Sequence, residues 1–179
     1  MKHRKKPGTV HNTHADKAQA LDKIESLLKH LKAGMMTTVL DNEMHSRPMM
    51  HQEFDKKSHE LWFFTGKSTG KAQEIEQDRR VCISFSNYDS NSYLCITGDA
   101  ELIDDAEKAA ELWNPMLKAW FPEGLEDPNL TLIKVKMHSA EYWDSTSSAL
   151  VQLVGLAKAV LTGKTYEASK SENQRIHLN

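Results

Sequence analysis

Residues 60–75 read Glu60-Leu61-Trp62-Phe63-Phe64-Thr65-Gly66-Lys67-Ser68-Thr69-Gly70-Lys71-Ala72-Gln73-Glu74-Ile75. Three successive aromatic residues, Trp62, Phe63 and Phe64, suit a pleated strand with at least one buried face. Gly66 and Gly70 then permit a tight turn that presents backbone N–H groups, with Lys67, Ser68, Thr69 and Lys71 as further donors. A helix is predicted from about Lys71 to Gln77, with Ala72 and Ile75 inward and its positive dipole end aimed back at the turn. Strand, turn and helix start together predict an anion pocket suited to a phosphate, with a flat aromatic group against the strand. The phosphate loop of NTPases, G-x-x-x-x-G-K-[ST], does not match: only three residues separate Gly66 from Gly70, and Ala72 has no hydroxyl for Mg²⁺. An ordinary polar connection is the competing reading. Lys71 speaks against it, because a cation at a helix start opposes the dipole unless an anion is near.

Working outward toward the N-terminus, Leu21, Ile24, Leu28 and Leu31 recur at three- and four-residue steps and predict a helix from about Asp16 to Lys32, capped by Asp16 and stopped by Gly34. Met35 to Leu40 reads as a strand, Asp41 to Glu43 as a turn, and Met44 to Gln52 as a returning strand. Pro48 marks that strand as an edge or a bulge, since it cannot donate to a ladder. Toward the C-terminus come strand Val81 to Phe85, a polar loop, strand Ser92 to Ile103, and a helix from Asp104 to Trp113. An excursion ends in Trp120-Phe121-Pro122-Glu123-Gly124. Two strands, Leu130 to Met137 and Ala140 to Asp144, follow it. Leu150, Leu153, Val154, Ala157, Val160 and Leu161 then predict a helix with a broad apolar face, suited to a dimer interface.

Six or seven strands joined by short turns, without βαβ alternation, predict a mainly β (α+β) antiparallel barrel or sandwich with peripheral helices. A single domain is expected over 15–165, between a disordered basic arm (1–14) and a loose polar tail (166–179).

Composition excludes several classes. A formal net charge of −2 over 179 residues argues against a dedicated nucleic-acid binder. No apolar run is long enough to span a bilayer, and no apolar segment follows the basic N-terminus as in a secretory signal. Cys82 and Cys95 lie in apolar strand-like runs outside any C-x-x-C pair. They read as small buried hydrophobes in a protein of the reducing cytoplasm. The nine histidines are scattered without ligand spacing, so no metal site is expected.

Arg47-Pro48-Met49, Trp62-Phe63-Phe64-Thr65, Lys71-Ala72 and Ile96-Thr97-Gly98-Asp99-Ala100-Glu101, in this order and spacing, resemble the pyridoxamine 5′-phosphate oxidase-like flavoproteins. Their general stress protein 26 branch is the nearest match. Leu112-Trp113, Trp120-Phe121-Pro122-Glu123-Gly124, Asp127-Pro128 and Ala140-Glu141-Tyr142-Trp143-Asp144 extend the likeness over roughly residues 16–165. The resemblance implies an FMN-binding split β-barrel, a homodimer with flavin at the subunit interface, and no nucleic-acid or membrane partner; FAD is the alternative cofactor. It assigns Arg47 to the flavin phosphate and ribityl chain, Thr65 to a flavin contact, and Lys71 to the phosphate. Phe63 and Phe64 stand beside the isoalloxazine and Pro48 and Met49 pack nearby. Trp143 is carried toward the partner's cofactor.

Two departures qualify the resemblance. The oxidases have an arginine directly before that lysine; here the position is Gly70, and Ser68 or Lys67 is the candidate substitute. Arg175-Ile176-His177 looks like the oxidases' substrate-phosphate motif but lacks the preceding tryptophan–glycine segment. A flavin-binding stress protein, acting as a low-specificity flavin oxidoreductase, is therefore expected rather than a true pyridoxamine 5′-phosphate oxidase. The rival is a non-catalytic flavin-binding or sensing module. No dedicated acid, base or nucleophile stands out, as befits chemistry carried by a cofactor.

Overall fold

The computed structural model describes residues 14–144 and 173–178. The expected arm before residue 14 and the expected apolar helix at 150–161 lie outside the described residues. Helix α1 (His14–His30) precedes strands β1 (Ala33–Leu40), β2 (Glu43–Asp55) and β3 (Glu60–Gly66). Helix α2 (Gly70–Gln77), strands β4 (Arg80–Asn87) and β5 (Ser92–Ile103), helix α3 (Ala106–Leu112), strand β6 (Leu130–Asp144) and strand β7 (Asn173–His177) complete the order. No helix among the described residues is long and apolar enough to cross a membrane.

The strands form one antiparallel sheet in the order β3-β2-β1-β4-β5-β6-β7, and β3 also pairs with β6, closing six of them into a ring. The split comes from the length of β6. Its first half pairs β3 from Leu130↔Gly66 to Lys136↔Glu60, and its second half pairs β7 from Ser139↔His177 to Trp143↔Asn173. The two strands predicted over 130–144 are this one strand, its register shifting between Thr97 and Gly98 of β5.

Local chemistry explains most turns. Asp41 and Asn42, with φ of 51° and 65°, make the two-residue hairpin that joins β1 to β2; both residue types tolerate the left-handed region. Around Pro48, β2 pairs with β1 alone, because pairing with β3 begins only at His51. The bulge between His51 and Glu53 bends β2 just beyond. Gly34 does not stop a helix. It lies in β1, where an added Cβ would come within 2.7 Å of the Phe85 ring.

Burial follows the pleat. Met36, Ile83, Phe85, Leu94, Ile96, Ile133 and Val135 point inward, and α1 lays Ala20, Ile24 and Leu28 against them. Strand β3 is buried on both faces, which accounts for its run of aromatics: Phe63 enters this main core, while Trp62 and Phe64 join a second cluster with Ala109, Leu117, Phe121 and Leu132. The same pleat turns Cys82 and Cys95 outward and leaves both half-buried, correcting their reading as core residues. Part of the expected loose tail is strand β7, held by Ile176, which is fully buried in the main core.

Candidate functional site

The turn after β3 is short because it is tied down from outside. Lys67 N–H donates to the Asn129 carbonyl at 2.7 Å, Ser68 N–H to Asn129 Oδ1 at 2.9 Å, and Thr69 N–H to the Gly66 carbonyl at 3.2 Å. Those three amides, expected to face an anion, are therefore already satisfied. The close approach of Asn129 needs Gly66, since a Cβ there would stand 2.6 Å from its side-chain nitrogen. Thr69 caps α2 without a side-chain bond to the helix; its hydroxyl donates to the Gly66 carbonyl at 2.7 Å and lies 3.3 Å from that of Thr65. In the first turn of α2 the amides of Ala72 and Gln73 donate to the Thr69 carbonyl at 3.0 and 3.3 Å, and that turn contains Lys71 and no acidic residue.

A cavity of about 510 Å³ opens beside this helix start, a size usual for small-molecule and cofactor sites. Thr65 and Phe64 of β3, Pro48, Met49 and Met50 of β2, and Lys71 of α2 line one side. Leu117, Trp120 and Phe121, from the excursion after α3, line the other, with Asn129 and Thr69 at the turn. The lining is apolar apart from hydroxyls, amides and one cation, and it holds no carboxylate, histidine or cysteine.

Lys71 is the cation of the lining. Its ammonium makes no hydrogen bond or ion pair with any described residue; burial, reinforced by the neighbouring charge of Arg47 and partly offset by that of Glu74, holds it below the usual lysine range. Arg47 is placed differently. Its Nη1 donates to Thr38 Oγ1 at 2.6 Å and its Nη2 to Glu74 Oε2 at 2.6 Å. Glu74, buried on the inner face of α2, also accepts from Thr38 and meets His45 Nδ1 at 2.7 Å. Burial pushes the Glu74 carboxyl upward, but Thr38, His45 and Arg47 outweigh it and keep the group below the ordinary carboxylate range.

The structure thus gathers Pro48, Met49, Phe64, Thr65 and Lys71 around one cavity, while Arg47 is held on Thr38 and Glu74 and is not among the lining residues. It separates three others. The Phe63 ring faces the main core, Ser68 is exposed beyond the turn, and Trp143 stands on the outer barrel face opposite Tyr93, 39% exposed. Lys67 pairs with Asp104 at 2.9 Å rather than replacing the missing arginine. Sequence reading gave Trp120 no part in the site and passed over Glu74 and Asn129, while Phe121 both lines the cavity and packs in the second core cluster. Trp120, 66% exposed beside a cavity, is recognisable only once the excursion is folded back over β2.

A family model described as pyridoxamine 5′-phosphate oxidase like matches residues 19–167. Protein bli-3 of Neurospora crassa is 30% identical over 163 residues, covering 85% of this chain and 78% of that protein. General stress protein 26 of Bacillus subtilis is 32% identical over 118 residues, covering 64% of this chain and 81% of that one. The crystal structure of the general stress FMN/FAD binding protein from Xanthomonas citri superposes with a TM-score of 0.64 at 30% identity, covering 73% of this chain and 92% of that one.

Proposed function

This chain belongs to the pyridoxamine 5′-phosphate oxidase-like family, and on that premise we propose that it is a flavin-binding general stress protein whose cavity takes FMN. One observation carries the reading: Lys71, whose ammonium has no direct partner among the described residues, sits at the positive end of α2 and lines a largely apolar cavity of about 510 Å³. A phosphate monoester with a flat aromatic body fits that donor set; a purely apolar ligand would leave the charge unmatched. The protein from Xanthomonas citri described as FMN/FAD binding supports the same reading.

In this proposal the phosphate lies against Lys71 and the α2 N-terminus, with Arg47 adding its remaining donors from behind. Thr65 and Thr69 offer hydroxyls to the polar chain. Phe64, Met49 and Met50 flank the ring on one side and Trp120 on the other, excluding water from it. FMN, when bound, supplies the hydride and electron transfer that makes a low-specificity oxidoreductase. Among the described residues the cavity lining has no carboxylate, histidine or cysteine, so the chain's contribution is position and charge. The working form is a cytoplasmic homodimer in which Trp143, exposed on the outer face, approaches the flavin of the second copy.

Purified protein is expected to be yellow and to bind added FMN with a shifted flavin spectrum, and NADH or NADPH to bleach it. Colourless protein that ignores FMN overturns the flavin assignment. Tight binding without reduction by either nicotinamide leaves the flavin and removes the oxidoreductase.

A further inference from the structure

Cys82 and Cys95, the only cysteines in the sequence, place their sulfurs 3.5 Å apart across strands β4 and β5. We propose that this pair is a redox-modification site, a dithiol that hydroperoxides convert reversibly into a cross-strand disulfide. The proposal is independent of the flavin cavity, whose lining includes neither cysteine.

Position argues against a packing role. Val81, Ile83 and Phe85 of β4 and Leu94 and Ile96 of β5 fill the core, so the alternating positions Cys82 and Cys95 look outward and are half-buried. Their neighbours on that face are polar. Thr37 lies opposite Cys82 on β1, Ser84 opposite Cys95 on β4, and Thr97 opposite Cys82 on β5. Glu141 lies opposite Cys95 on β6 and is ion-paired with Arg175. Two thiols placed together on a hydroxyl-rich outer face gain little from burial, and what they do share is proximity.

The pairing also divides the labour. The Ser84 hydroxyl lies 4.0 Å from Cys95 Sγ. Donation from the Cys95 thiol pulls Cys82 down to about 6 against the opposing effect of burial, and Ser84 adds to the pull. Cys95, the donor beside that sulfur, is pushed up by the same bond, by burial and by the charges of Cys82 and Glu141. Cys82 is then the nucleophile and Cys95 the resolving thiol.

The Cys82 thiolate attacks a hydroperoxide oxygen, cleaving the O–O bond; the hydroperoxide leaves as an alcohol and Cys82 becomes a sulfenic acid. Cys95 sulfur then displaces that hydroxyl as water and forms the S–S bond. Two thiols lose two electrons in all, and one hydroperoxide is reduced to one alcohol and one water. The register makes the bond reversible. Cys82 opposes Thr97 and Cys95 opposes Ser84, a diagonal arrangement. Diagonal positions stand about 7–8 Å apart between Cα atoms, just beyond the usual span of about 4.4–6.8 Å for a disulfide, so closing the bond from sulfurs 3.5 Å apart draws the two strands together and strains it. A bond made there is readily reduced by small dithiols.

The test uses full-length, fully reduced protein exposed to stoichiometric tert-butyl hydroperoxide. Free thiols are counted after denaturation, and intact mass and a non-reducing gel are recorded. The expected result is joint loss of both thiols, a mass lower by two hydrogens, a monomeric band under denaturation, and recovery with dithiothreitol. Cys95→Ser is expected to stop at a sulfenic acid on Cys82 that dimedone traps, and Cys82→Ser to slow thiol loss on the order of ten-fold. Wild-type thiols that survive the peroxide, or that form only separate oxidation products or bonds between chains, overturn the proposal.

Discussion

Arg47 Nη2 donates to Glu74 Oε2 at 2.6 Å, joining β2 to the inner face of α2. The arginine that sequence reading aimed at a phosphate therefore already has a counter-charge in contact, whereas the Lys71 ammonium, three residues before Glu74, makes no ion pair with any described residue. The two cations therefore have different jobs in the proposed site: Lys71 meets the ligand, and Arg47 braces the buried carboxylate while keeping other donors to spare.

Substituting each cation separates those jobs. Lys71→Ala and Arg47→Ala are each expected to weaken FMN binding by about 1.5–3 kcal/mol, the range for hydrogen bonds to charged groups. Only Arg47→Ala is expected to destabilise the flavin-free protein, by about 3 kcal/mol, because it removes the guanidinium from the buried Glu74 carboxylate and leaves it Thr38 and His45 alone. Titration of FMN and thermal melts of both apo variants provide the check. Equal melting temperatures for the two variants contradict this division.

Trp120 is expected to recognise the flat part of the ligand and not its anion. Trp120→Ala should weaken FMN by about 1 kcal/mol, the scale of an aromatic stacking contact, and leave competition by inorganic phosphate unchanged. Isothermal titration with both ligands distinguishes this from a general collapse of the cavity.

His51 gives the fold an acid-sensitive point. Its Nε2 bonds the Leu28 carbonyl at 3.1 Å, while Nδ1 is buried with no partner among the described residues. Burial, helped by Lys32, holds the imidazole below its usual value. The unfolded chain takes up a proton as pH drops below about 6.5 and folded His51 resists it. Its contribution is therefore complete above that pH and is lost on acidification. His51→Gln, which preserves a donor for Leu28, is expected to flatten the fall of melting temperature between pH 6.5 and 5. His59, also held low by burial, acts equally in both proteins, so superimposable profiles would exclude His51 as the source.

Strand β7 is expected to depend on one side chain. Ile176 is fully buried against the main core, and Ile176→Ala should cost about 2–5 kcal/mol, the range for truncating a buried aliphatic residue. Hydrogen exchange over residues 173–177 is expected to rise well above that of the rest of the sheet. An unchanged exchange rate would mean that backbone pairing with β6 alone holds this strand.

The sequence by itself determined whatever depends on neighbours along the chain. Period-two burial marked the strands, Asp41-Asn42 the hairpin, Pro48 the break in pairing, and Trp62-Phe63-Phe64 a strand with at least one buried face, which the structure extends to both. Lys71 at a helix start led to the proposal of an anion, because the dipole that disfavours it is local. The tertiary structure alone decided the rest. Glu74 reaches Arg47 across 27 positions, Asn129 takes the Ser68 amide across 61, and the excursion carrying Trp120 folds back to wall the cavity. It also turned Cys82 and Cys95 outward and side by side, and it seated Ile176 in the core of a segment that reads as polar. These outcomes depend on which strands become neighbours and on how the barrel closes, and residue spacing along the chain does not encode either.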